Sequence, residues 1–224
     1  MRRKPFDNDE EGMRVWLRDE EVEQLLEELD GTRRTIAGLL GARCGLRREE
    51  IVDVTKQDLV EGRGRRWWLR VPDGKGGKYR EVPVPQRLAN YVEAWADSQD
   101  LEGNESVVGR TNKQVYRWIR GAAAHLQEGT GDVGWGDVTP HDLRRTWGTA
   151  LLEAGVLPTV VMSWGGWEDW ETFREHYLGE FSPQALERER AKVGYLEGSL
   201  EDVEFDDRDV VPVASPATSS QLTN

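Results

Sequence analysis

The chain has 224 residues, with 42 acidic against 30 basic side chains and a formal net charge of −12. One full domain with a small appendage fits that length, and 37% hydrophobic residues suffice for a core. A uniformly acidic surface repels nucleic acid, so binding to it must rest on a local basic face; the single cysteine, Cys44, excludes an internal disulfide and a cysteine-built metal site.

Residues 1–14 are polar and mixed in charge and read as an extension. A first helix is expected from Asp19, with Val22, Leu25, Leu26 and Leu29 inward and Gly31 as its stop. A second runs from Thr32 to Cys44-Gly45, and a short third opens near Arg47. The period then changes. Residues 65–71 and 79–84 read as two strands joined by the glycine-rich turn Pro72-Asp-Gly-Lys-Gly-Gly-Lys78. Amphipathic helices follow over 86–99 and 112–127, then a loop of glycines and acids over 128–137. A helix from Pro140 to Gly155, two short ones over 158–164 and 169–178, and a last one over 183–192 complete the elements. Residues 197–224 are acidic, then Ser/Thr/Pro-rich, with little to bury, and read as a disordered tail. The fold class is mainly α with a small antiparallel β-sheet (α+β), the domain covering 15–196. No apolar run is long enough to span a membrane and no signal peptide opens the chain.

The most informative stretch is Val138-Thr-Pro-His-Asp-Leu-Arg-Arg-Thr-Trp147. Thr139 suits an N-cap and Pro140 the first helical position. His141 and Arg144, three apart, share a face near a helix N-terminus, an arrangement suited to a phosphate. Alone, His-x-x-Arg is more often an ordinary helix surface. Its company is Cys44-Gly-Leu-Arg-Arg-Glu-Glu-Ile51, Gly74-Lys-Gly76, Gly165-Gly-Trp167 and Tyr177 in Phe173-Arg-Glu-His-Tyr-Leu-Gly179. Each of these taken singly has a bland reading too: a surface arginine, a flexible turn, a core tryptophan, a half-buried tyrosine.

In that order, the motifs resemble the tyrosine recombinases of the phage-integrase family, over roughly residues 15–195. The resemblance implies a recombinase catalytic-domain fold and a catalytic set of Arg47, Lys75, His141, Arg144, Trp167 and the nucleophile Tyr177, with Glu50 supporting Arg47. It also implies a site-specific DNA recombinase that cuts and rejoins DNA through a 3′-phosphotyrosine, integrating or excising mobile DNA, with no cofactor and no metal. Two other readings remain: a topoisomerase-like strand passer, and a DNA-binding regulator or truncated decoy of a recombination site. Implied partners are double-stranded DNA, a homo-tetramer on that DNA, and a separate chain supplying the N-terminal DNA clamp most members carry, since about fifteen residues precede the first expected helix. No membrane partner is implied, and the expected location is cytoplasmic and nucleoid-associated.

Two basic stretches are expected to meet DNA. The first holds Arg63, Arg65, Arg66, Arg70, Lys78 and Arg80; the second holds Lys113, Arg117 and Arg120. Arg145, beside Arg144, joins them. These would position the duplex rather than read it. The acids concentrate elsewhere, and their excess resembles that of salt-adapted, halophilic proteins.

Overall fold

The computed structural model describes residues 1–6, 12–62, 64, 66–74, 78–177 and 183–194, with the backbone alone at residues 73, 74, 78, 172, 175–177 and 183–185. Residues 1–182 form one compact unit; the described part of the remainder is a single helix.

The unit opens on a strand pair, β1 (Arg2–Pro5) and β2 (Met13–Trp16), antiparallel with Arg2 opposite Trp16. Three helices follow: α1 (Asp19–Glu27), α2 (Thr32–Cys44) and α3 (Arg48–Asp53). A three-stranded antiparallel sheet comes next, in the order β3 (Leu59–Glu61), β4 (Trp67–Gly74), β5 (Lys78–Val84). Then come α4 (Gln86–Ser98), α5 (Asn112–Thr130), a 3₁₀ turn at Val133–Asp137, α6 (Pro140–Glu153), α7 (Pro158–Gly165) and α8 (Trp170–Tyr177); α9 (Pro183–Arg190) belongs to the second unit.

The helices expected from apolar periodicity stand close to where the pattern puts them. Three strands differ. Residues 2–5, read as part of a polar extension, form β1, and neither β2 nor β3 was foreseen. The expected tail, 197–224, lies outside the described residues.

Two apolar clusters meet along α2 and α6. One gathers Ile36, Leu40, Leu46, Ile51, Leu69, Val82, Val92, Val115 and Trp147; the other gathers Val15, Val22, Leu25, Ile119, Trp135, Val138 and Leu143. A Cβ at Gly41 would stand 3.3 Å from Leu143 Cδ1, so this glycine lets the two helices approach closely. Every residue of α6 from Asp142 to Thr149 is buried. The helix that carries His141 in its first turn is therefore the central one, and its polar residues must find partners inside the protein.

They do. Asp142, 2% exposed, accepts hydrogen bonds from the Thr139 amide at 2.9 Å, the Thr139 hydroxyl at 2.6 Å and the Val15 amide at 3.0 Å, and pairs with Arg145. Thr146 Oγ1 accepts from the Leu17 amide at 3.0 Å. One carboxylate thus closes the first turn of α6 and, with Thr146, clips β2 and the residue after it to that helix.

Candidate active site

Gly45 ends α2 in the left-handed conformation (φ 64°), where a Cβ would lie 2.1 Å from Trp147 Cε3. Only glycine turns the chain there with that indole in place. The turn delivers Arg47 to the start of α3. Glu50, one helical turn on, reaches back to the Arg47 amide at 2.8 Å and to its Nη1 at 2.7 Å. The motif Gly-Leu-Arg-x-x-Glu is thus a helix start in which the N3 carboxylate holds both the backbone and the side chain of the capping arginine.

Glu50 has a second partner that the sequence reading placed elsewhere. Arg80 grips the carboxylate with both terminal nitrogens, Nη1 to Oε1 at 2.9 Å and Nη2 to Oε2 at 2.7 Å. Both side chains are almost fully buried. Burial alone would raise the Glu50 carboxyl, but the hydrogen bonds and charges of Arg80 and Arg47 more than offset it and hold the group at about 2.

The last two residues of α7 and its cap, Gly166, collect three arginines. Arg80 Nε donates to the Trp164 carbonyl at 2.9 Å, Arg144 Nη2 to the Gly165 carbonyl at 2.5 Å, and Arg47 Nη2 to the Gly166 carbonyl at 3.4 Å. Three successive carbonyls thus each receive one guanidinium. Arg144, 1% exposed, also donates Nη1 to the Gly45 carbonyl at 2.5 Å, and its Cζ stands 4.1 Å from the centre of the Trp167 ring. Trp167 stacks on Trp147 (6.2 Å, 25°) and leans on Phe173 (5.3 Å). Gly166 is left-handed (φ 67°), and a Cβ on Gly165 would fall 1.8 Å from Trp167 Cζ3, so both glycines are fixed by geometry.

His141 is exposed at the start of α6. With Arg47, Arg48, Glu49, Tyr116, Thr139 and Pro140 it lines a hollow of about 350 Å³. The structure therefore brings Arg47, Glu50, Arg144 and Trp167 together in one network and sets His141 beside Arg47 at the hollow. His141 and Arg144 do not share an exposed face as expected: one looks outward and the other is buried. The Tyr177 backbone closes α8, and Lys75 lies outside the described residues, between β4 and β5.

The expected DNA contacts divide. Arg66, Arg70, Lys113 and Arg117 are exposed, Arg70 within 3.8 Å of Glu81. Arg63 and Arg65 lie outside the described residues, and Lys78 is placed by its backbone in β5. Three assignments are corrected. Arg80 is 7% exposed and bound to Glu50 and Trp164. Arg145 is 4% exposed, paired with Asp142 and 5.5 Å from the Trp16 ring. Arg120 spends its guanidinium on the Gly136 and Val138 carbonyls at 2.6 and 3.0 Å, bracing the loop that leads into α6. Each of the three is held by acceptors within the protein, and none lines the hollow beside His141. The sequence held a signal for Arg80: it is in step with Val82 and Val84, and the period of a strand puts all three on the inward face.

Cys44 is fully buried, and burial pushes its thiol up to about 12, an inert side chain. Among the described residues no group of His, Cys, Asp or Glu could hold a metal ion, and no helix is long and apolar enough to cross a membrane.

Residues 15–181 match the model of the phage integrase family, and the chain belongs to that family. The tyrosine recombinase XerA of Thermococcus kodakarensis is 33% identical over 139 residues, which cover 61% of this chain and 48% of the relative. The chain spans about half the length of the curated relatives it matches. The crystal structure of XerA recombinase superposes with a TM-score of 0.61 at 21% identity, covering 80% of this chain and 65% of the other. XerH site-specific recombinase, in a post-cleavage complex with its palindromic difH substrate, gives 0.59 at 20% identity over 80% and 52%. The fold is that of these recombinases.

Proposed function

We propose that the chain cuts and rejoins double-stranded DNA as a site-specific tyrosine recombinase. The observation that carries this reading is the convergence of Arg47 and Arg144 on adjacent carbonyls beside Trp167, with His141 next to Arg47 at an open hollow. Two guanidinia fixed before substrate arrives suit the extra negative charge of a pentacoordinate phosphate, and preorganised donors are usually the largest catalytic contribution.

In this reading the Tyr177 hydroxyl oxygen bonds to phosphorus and the bond from phosphorus to the 5′-oxygen breaks. Lys75 gives the departing oxygen its proton. The reverse step rejoins a strand with the phosphate energy conserved in the phosphotyrosine. Arg47 and Arg144 bear on the non-bridging oxygens, His141 hydrogen-bonds the phosphate or accepts the tyrosine proton, and Trp167 offers its indole N–H. Glu50 orients Arg47. No step calls on a metal or cofactor. The relative XerH is seen on its DNA substrate, which supports a DNA partner here. Tetramer assembly on DNA, a clamp supplied by another chain, a nucleoid-associated location, and integration or excision of mobile DNA extend the same reading.

The test is a duplex nicked near the cleavage position, which loses a short fragment on cutting and traps the covalent protein–DNA adduct. The wild-type chain should form adduct. Tyr177→Phe should fold, bind DNA and form none. Adduct persisting in that variant, on another tyrosine, sinks the assignment.

A further inference from the structure

Arg80 sits where three parts of the proposed site meet. Its strand, β5, pairs with β4. Its terminal nitrogens hold Glu50, which holds Arg47. Its Nε holds the carbonyl of Trp164, the first residue of the turn that ends in Trp167.

The charge balance makes the pairing informative. Glu50 and Arg47 alone form a neutral pair. A neutral pair beside a phosphate attracts it weakly, because the carboxylate repels what the guanidinium attracts, and in a poorly hydrated wall neither contribution is screened well. With Arg80 the trio carries one net positive charge. Each Glu50 oxygen accepts from both arginines: Oε1 from Arg80 Nη1 and Arg47 Nη1, Oε2 from Arg80 Nη2 and the Arg47 amide. Arg80 is the inner of the two, with 6% of its side chain exposed against 20% for Arg47. The outer cation is therefore the one placed to meet an anion from solvent.

We propose that Arg80 is a positioning residue for the cleavage step: it neutralises Glu50 so that Arg47 brings a full positive charge to the scissile phosphate, and it ties strand β5 to the end of α7, three residues before Trp167. The proposal rests on the recombinase reading. It assigns Arg80 no contact with DNA.

The experiment measures two quantities on the nicked duplex: DNA affinity, and the single-turnover rate of adduct formation at saturating DNA. Arg80→Met keeps length and removes charge. It should slow adduct formation about a hundredfold, comparable to losing one preorganised donor, with affinity changed less than about twofold because no phosphate contact is lost. Arg80→Lys keeps the charge and loses the fork and the Nε bond; it should stay within about tenfold of wild type. Glu50→Gln/Arg80→Met removes both charges and should recover at least about tenfold of the loss, the non-additivity expected of directly coupled residues.

Weakened affinity with an unchanged saturated rate would make Arg80 a DNA contact and overturn the proposal. So would Lys and Met variants that are equally slow with no recovery in the double variant, which is the mark of packing alone. If Arg80→Met does not fold because Glu50 is left buried and unpaired, the other two variants decide. A folded double variant within about tenfold of wild type supports the charge role, and one more than about a hundredfold slower overturns it. A wild-type chain that forms no adduct fails the recombinase reading itself, a result separate from any ratio between variants.

Discussion

Arg80 and Arg117 come from the two basic stretches that together looked like one DNA face, yet they do opposite things. Arg80 is enclosed and its guanidinium answers a carboxylate and a carbonyl. Arg117 stands exposed on α5. Arg120, three residues further along the same helix, turns back to two carbonyls. The wall behind the Gly165-Gly166 turn and the rim of exposed cations thus use the same residue type under different rules. In the wall the guanidinium is held by interior acceptors, so the arginine is fixed and its value lies in what it holds. On the rim the charge is hydrated and mobile, and its value lies in counterions released when a phosphate replaces water. A run of positive residues is therefore no measure of a DNA-binding surface until the interior acceptors have taken their share.

That contrast can be broken most directly at Asp142. Asp142→Ala should cost about 3–5 kcal/mol, since it leaves Arg145 buried without its carboxylate and the Val15 and Thr139 amides without an acceptor. Urea unfolding reads this. A loss under about 1 kcal/mol would mean that the wall tolerates unmatched groups and the distinction fails.

The next effect is acid sensitivity. Glu50 is held at about 2 in the folded chain against an ordinary 4.5. A depressed carboxyl stabilises the fold fully above its unfolded value, and that stability is lost as pH falls from about 4.5 toward about 2. The shift corresponds to about 3 kcal/mol. Unfolding free energies followed down this range should fall by that amount more in the wild type than in Glu50→Gln. Parallel curves would show that Glu50 is not held by its two arginines as described.

The smallest effect sharpens the other side. Arg117→Ala should leave stability within about 0.5 kcal/mol. It should weaken DNA binding by a few fold at moderate salt, equally for all sequences, and lower the salt slope by about one. A change in stability, or no change in slope, would remove Arg117 from the rim.

Much of this arrangement is readable in the chain itself, for identifiable reasons. Helix α2 and the start of α6 follow from strong periodicity and from Gly45 and Thr139-Pro140, residues whose backbone preferences leave few alternatives. Arg47, Glu50, Arg144 and Trp167 are found together because short motifs reach the same turn from different elements. β1 was missed because Arg-Arg-Lys-Pro has no apolar alternation and is held by pairing with β2; β3 is three residues long, below what any pattern can mark. Arg80, Arg120 and Arg145 were misassigned because charge was weighed before strand phase and before the unpaired carbonyls of the turn and of the loop into α6. The role of Asp142 was hidden for a related reason. Its spacing from Thr139 is that of a helix cap, and nothing local says that residue 15 will also arrive there.

That arrival bears on how the chain folds as it is made. The bonds that define the site join residues far apart in the chain: Gly45 with Arg144, 99 positions away, Arg47 with Gly166, 119 away, and Val15 with Asp142, 127 away. Loops of that length close slowly, and contacts so distant in sequence form late. A chain emerging from the ribosome cannot complete the arginine wall until residue 166 is out, and its first strands wait for most of synthesis for the helix they clip to. Nascent and partly folded chains therefore hold their arginines without the turn that registers them. The proposed cleavage site is in this way incomplete until residue 166 has been made.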